Sequence, residues 1–181
     1  MALTQVNAEG INVADDFAFT GTVTGATPIT HVDQWRLTTN FTNNAIPIAS
    51  NLERVDTAGQ GLLGSAMAES SGIFTFPVTG IWFVSMQSEH YINGDDREIN
   101  SIIQVTLDNS SYVQIARGAT FINGTGANTH TSAACCSAVD VTNTSNVKVR
   151  FGVATNNSST NTVSSSTQNL TFMTFIRLGD T

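Results

Sequence analysis

The stretch from Ser71 to Tyr91 constrains the chain more than any other. Ile73, Phe74 and Phe76 make a short apolar strand, which Pro77 must end or confine to an edge because proline has no N–H for a ladder. Val78-Thr79-Gly80 supplies a turn, with Gly80 free to take a positive φ. Ile81, Trp82, Phe83 and Val84 then run without a polar residue, followed by Met86 among Ser85, Gln87 and Ser88. Side chains on a strand alternate between faces, so four apolar residues in a row call for cover on both. One cover is the domain's own core. The other is expected to be a second copy of the chain.

A length of 181 residues suits one domain, or a domain with an arm, and allows a sizeable core. The polar residues are Ser, Thr and Asn more than Lys and Glu, while Thr, Val, Ile and Phe are common, which favours an all-β fold. A formal charge of −7 with seven basic residues and no basic patch excludes a phosphate backbone as partner, so no nucleic acid is expected. No apolar run approaches the roughly 20 residues of a membrane helix. Met1 to Glu9 has neither the basic nor the apolar part of a signal peptide, so no membrane partner and a cytoplasmic origin are expected. Cys135 and Cys136 are adjacent and would point to opposite faces of a strand, which rules out an ordinary disulfide between them. Both are expected to be buried.

Residues 1–30 form an extended N-terminal arm, with Phe17, Phe19 and Val23 alternating with polar or small residues and Gly21 and Gly25 as punctuation. A partner is expected to hold it, with those three apolar residues as the anchor. The domain proper covers 31–181. Short strands follow one another with Asn, Gly and Ser turns: 32–37, 52–56, 73–76, 81–88, 99–107, 112–122, 131–141, 147–154 and 169–178. That spacing predicts a two-sheet antiparallel jelly-roll sandwich. The doubly apolar strands 81–88 and 169–178 should lie side by side in the sheet that faces the partner. Residues 41–48 and 156–168 read as loops, the second mobile.

Gly72-x-Phe74-x-x-Pro77-x-x-Gly80-x-Trp82-Phe83 resembles the signature of the C1q/TNF-like jelly rolls. The hairpin at Asp108-Asn109, the turn before Val147-Lys148-Val149 and the closing Phe172-x-x-Phe175 strand follow in the same order, so the likeness covers about 32–178. The collagen stalk of C1q proteins is not among these residues. The arm, Leu52-Glu53-Arg54-Val55-Asp56 and Ser71 to Pro77 are also similar to virion-surface proteins of marine tailed bacteriophages. That second resemblance implies a homotrimeric structural protein on a virus particle. The expected role is a capsid decoration (cement) protein on the outer surface of the head, its arm held by the major capsid protein or other virion proteins. The alternative is the tip of a tail fibre or head fibre, binding a host surface glycan through loops 93–98, 123–130 and 156–168. Trp82, Phe83, Val84, Met173 and Phe175 are the candidate trimer interface, since aromatic side chains contribute about 1.5–3 kcal/mol each when buried.

No catalytic constellation is visible, so no enzyme and no cofactor are expected. His31, His90 and His130 are scattered and read as surface or strand-end residues; His31-x-Asp33 could pair on one face but has no nucleophile beside it. Gly59-x-Gly61-x-x-Gly64 lacks the strand before and the helix after that a dinucleotide fingerprint requires. Asp95, Asp96 and Glu98 are a weak candidate for a calcium site, set against a solvated acidic turn balanced by Arg97. The Asn-x-Ser/Thr sequons at Asn40, Asn109, Asn123 and Asn169 follow from composition.

Overall fold

The computed structural model describes residues 29–181. The proposed arm, with Phe17, Phe19 and Val23, lies outside the described residues. The chain from 32 onward forms β1 (Val32–Leu37), β2 (Phe41–Thr42), β3 (Leu52–Arg54), β4 (Ala68–Ser70), β5 (Ile73–Thr75), β6 (Gly80–Ile92), β7 (Asp96–Thr106), β8 (Val113–Ile122), β9 (Thr129–Val141), β10 (Lys148–Thr155), β11 (Asn161–Thr162) and β12 (Phe172–Gly179). These make two antiparallel sheets. The first runs β2-β11-β6-β12-β1-β3, with β9 on the other edge of β6; the second runs β4-β5-β10-β7-β8.

Strand β6 is the hub. β9 pairs with it from Gly80↔Val141 to Ile92↔Thr129. On its other edge β12 takes the first half, with Phe175 opposite Val84, and β11 takes the end, with Thr162 opposite His90. The two doubly apolar strands are therefore neighbours, as their sequences predict. Around the hub, turn chemistry sets the chain path. Ser71 and Gly72, at φ 53° and 80°, make the two-residue turn of the β4–β5 hairpin. Glu69 Oε1 accepts the Gly72 N–H at 2.6 Å. Asn109 takes φ 59° between β7 and β8, where Asp108 Oδ1 accepts from Ser110 N, Ser111 N and Thr106 Oγ1 at 2.9, 2.8 and 2.8 Å. Those bonds, Ser111 first, pull the Asp108 carboxyl down to about 2.

The interior is aromatic at its centre. Phe175 has ring centroids 5.1 Å from Phe74, 5.6 Å from Phe151 and 6.4 Å from Phe76, while Phe76 lies 5.2 Å from Trp82. Val84, Met86, Met173, Val149, Val153 and Ile103 fill the space around them. Each such side chain, fully removed from water, contributes about 1.5–3 kcal/mol.

Polar groups close the two ends. Asp33 is buried on β1, where it accepts from Met67 N at 2.9 Å, Trp35 Nε1 at 3.2 Å and Arg54 Nε at 3.2 Å. On the other face of β1 the buried Arg36 donates to Glu53 at 2.6 Å. His31 does not pair with Asp33; its ring lies 5.6 Å from Trp82. At the other end of β6, His90 is fully buried with Ser88, Ser101, Thr160 and Thr162. The burial of His90 corrects the expectation of a surface or strand-end histidine there, while His31, just ahead of β1, and the exposed His130 sit at such positions. Residues 156–168 likewise differ from the mobile loop read in the sequence: the segment contains β11 and buries Thr160 and Thr162, because its hydroxyls satisfy groups inside the sandwich. In 41–48, Ala45 bridges to Val153, so that segment is also tied to a sheet.

Candidate interaction surface

Alternation along β6 and β12 decides which side chains leave the core. On β6 the even positions point inward and the odd positions outward, in strict sequence from Gly80 to Ile92. Trp82, Val84, Met173 and Phe175 consequently have 0% exposure inside a single protomer. They build its own core and present no surface. This corrects four of the five residues read as a trimer interface; Phe83 alone faces outward. Apolar character fits both faces of the run at 81–84 equally, so only the parity set by β5 and the Gly80 turn tells them apart.

The outward face is laid out in rows by the register. Ile176 and Ala138 flank Phe83; Thr174 and Cys136 flank Ser85; Phe172 and Ala134 flank Gln87. Within those rows there is no charged side chain. Phe83, Gln87, Ala134, Cys136 and Phe172 border a shallow depression of about 310 Å³. Charge appears toward the ends of the rows, as Asp140 opposite Ile81, as the Glu89–His130 pair at 3.0 Å beneath a stacked Tyr91 ring, and as Arg36 with Glu53 beyond Phe172. Cys136 is exposed here and Cys135 half-buried on the inward side, so the expected burial of both thiols is corrected. Burial pushes the Cys135 thiol up to about 11, which keeps it protonated and unreactive.

A second surface lies at the open edge between the sheets, where β8 and β9 end their respective ladders. β8 packs so closely on β9 that a methyl on Gly118 would be driven into the Ala134 carbonyl. Beyond that contact Leu107, Val113, Ile115 and Phe121 are exposed, at 69, 63, 37 and 61%. Val105, Leu107, Val113 and Ile115 line a groove of about 440 Å³. It continues past Leu107 and Ile115 to the lower end of β9 at Ser137–Asp140. Spaced apolar residues at 107, 113, 115 and 121 were readable as strand residues, but not as an edge.

The acidic turn is pinned by neighbours rather than convergent. Asp95 Oδ1 accepts from Gly124 N at 2.5 Å. Asp96 is buried and accepts from Glu98 N, Asn156 N, Asn157 N and Thr160 Oγ1. Glu98 pairs with Arg117 at 2.9 Å, not with Arg97. The three carboxylates are committed to different partners, and among the described residues no group of His, Cys, Asp and Glu is placed to hold a metal ion. The glycines at 59, 61 and 64 lie in a connection without helix, and Gly64 abuts the Thr30 carbonyl. No nucleotide cradle is formed there.

No family model and no curated protein matches the chain. Solved structures do. Eiger TNF from S. frugiperda is similar over 85% of this chain and 96% of its own, with a TM-score of 0.62 at 12% identity. Murine APRIL is similar over 82% of this chain and 98% of its own, with TM-scores of 0.57 at pH 5.0 and 0.55 at pH 8.0 and identities of 11 and 12%. With two antiparallel sheets in the order described and these neighbours, the chain has the TNF-like jelly-roll fold.

Proposed function

We propose that this protein is a non-enzymatic homotrimeric structural protein, and that it decorates the outside of a tailed-phage head. The observation that carries self-association is the outer face of β6, β9 and β12, uncharged in the rows of Phe83, Ser85 and Gln87, which no element among the described residues covers between Phe83 and Phe172. The exposed apolar edge at Leu107, Val113 and Ile115 is a different surface of the same protomer. Two unlike patches that fit each other give a heterologous contact, and a heterologous contact that closes on itself gives a ring. The edge of one copy against the sheet face of the next satisfies both patches at once. A stable interface buries on the order of 1,600 Å² in total, a size within reach of a 13-residue strand and its two neighbours.

The virion setting rests on the resemblance of the arm, 52–56 and 71–77 to virion-surface proteins. Its test is copy number, by quantitative mass spectrometry of purified particles against the major shell protein. A ratio near that of the shell protein supports decoration of the lattice. A few copies per particle would move the protein to a fibre tip, with a host glycan at loops 93–98 and 123–130 as the ligand to seek. Absence from particles would overturn both placements.

A further inference from the structure

The buried hydroxyls around His90 form a chain whose direction can be read from its last acceptor. Ser101 Oγ donates to the Ala133 carbonyl at 3.0 Å, which uses its one proton. Ser88 Oγ lies 2.5 Å from Ser101 Oγ and must therefore be the donor of that bond. With its proton spent, Ser88 Oγ can only accept from His90 Nε2, 2.6 Å away. His90 thus carries its proton on Nε2. In the neutral ring Nδ1 is then the acceptor, and Thr162 Oγ1, 3.3 Å away, donates to it. The order is Thr162, His90, Ser88, Ser101, Ala133, and it closes with a neutral imidazole.

We propose that this chain is an acid-sensitive clasp that fastens segment 160–163 to β6, shut by neutral His90 and opened by a proton at its Nδ1. A proton there makes Nδ1 a donor, so Thr162 Oγ1 must turn its own proton away to accept, and the ring becomes a cation with 0% exposure that only opening of the segment returns to water. The segment has few other holds. β11 is two residues long, and besides its ladder the segment is held by Thr160 Oγ1 donating to Asp96 at 2.5 Å, Asn43 N donating to the Thr160 carbonyl at 3.3 Å and Val163 N donating to the Glu89 carbonyl at 2.8 Å. Asp96, on β7, is the charged group that favours the protonated ring; Glu89, Tyr91 and His130 lie on the opposite face of the sheet, and from β9 Thr131 is opposite His90. Burial outweighs Asp96 and brings the imidazole down to about 4.

The first test needs only the folded wild-type chain. Nitrogen-detected NMR of His90 should show the Nε2–H neutral tautomer at pH 7 and a midpoint near 4. Hydrogen exchange, corrected for intrinsic rate, should show protection at 160–164 falling on the order of a hundredfold between pH 7 and pH 4, while 102–105 and 149–153 stay protected. An Nδ1–H tautomer, a midpoint near 6.5, unchanged protection at 160–164, or equal loss across both sheets would each overturn the clasp. In Thr162→Val, which removes the donor to Nδ1, segment 160–164 should already exchange faster at pH 7; unaltered exchange there would count against it.

Discussion

Phe175 separates the two faces of the hub sheet more sharply than any other position. Truncating it to alanine removes a ring with 0% exposure that touches Phe74, Phe151 and Phe76 at centroid distances of 5.1, 5.6 and 6.4 Å. Loss of a buried phenylalanine costs about 3–5 kcal/mol, through lost burial plus the cavity left behind. Three tilted or edge-on aromatic neighbours place this site toward the upper end of that range. At about 2–4 °C of melting temperature per kcal/mol for a domain of this size, Phe175→Ala should melt roughly 10–15 °C lower. Phe83 is one register row away, with its ring on the outer face. Phe83→Ser should weaken self-association while leaving the stability of the separated protomer within about 1 kcal/mol. Urea unfolding and sedimentation equilibrium, run on both variants across a protein-concentration series, read the two effects independently. A Phe175→Ala protomer as stable as wild type but unable to associate would refute the placement of the two faces.

Gly118→Ala should cost about 1–3 kcal/mol in urea unfolding, since the new methyl meets backbone at Ala134; Gly126→Ala, in open space but at φ 83°, should cost about 1–2 kcal/mol through backbone strain alone. Asp33→Ala removes the buried carboxylate that accepts from Arg54, which is 34% exposed, and from Met67 N, and should cost about 1–3 kcal/mol, seen as a lower thermal midpoint. The pH profile of stability should fall in two windows. His90 is held near 4 against its ordinary 6.5, so its contribution, roughly 3 kcal/mol, is complete above 6.5 and is lost as pH falls toward 4. Asp108 is held near 2 against 3.8, so its share is present above 3.8 and disappears between there and 2. Asp108→Asn should abolish the lower window and leave the upper one, as followed by fluorescence of the two tryptophans.

The architecture was legible because its signals are local. Turn residues at 71–72, 80 and 108–109 and apolar runs between them mark strands without any knowledge of pairing. Parity was not legible in the same way. A run such as 81–84 is apolar on both faces, and a one-residue change of phase exchanges Trp82 for Phe83 as the exposed aromatic. On β12 the same choice lies between Phe172 with Ile176 and Met173 with Phe175, and it is the second pair that goes inward. The polar core of β6 was hidden for a different reason. Ser88, His90, Ser101 and Thr162 read as surface residues until β11 brings the Thr162 hydroxyl to the imidazole and β7 and β9 bring the Ser101 hydroxyl and the Ala133 carbonyl to Ser88 beyond it. The edge at β8 is a property of sheet order, which no single strand carries.

Self-association through the β6–β9–β12 face is the central claim, and the mass of the protein in solution tests it directly. Sedimentation velocity at neutral pH should give three times the mass of one chain, and Phe83→Ser together with Ile115→Ser should reduce it to one. A folded wild-type protein that remains a single chain across the micromolar range, with no virion present, would contradict the account.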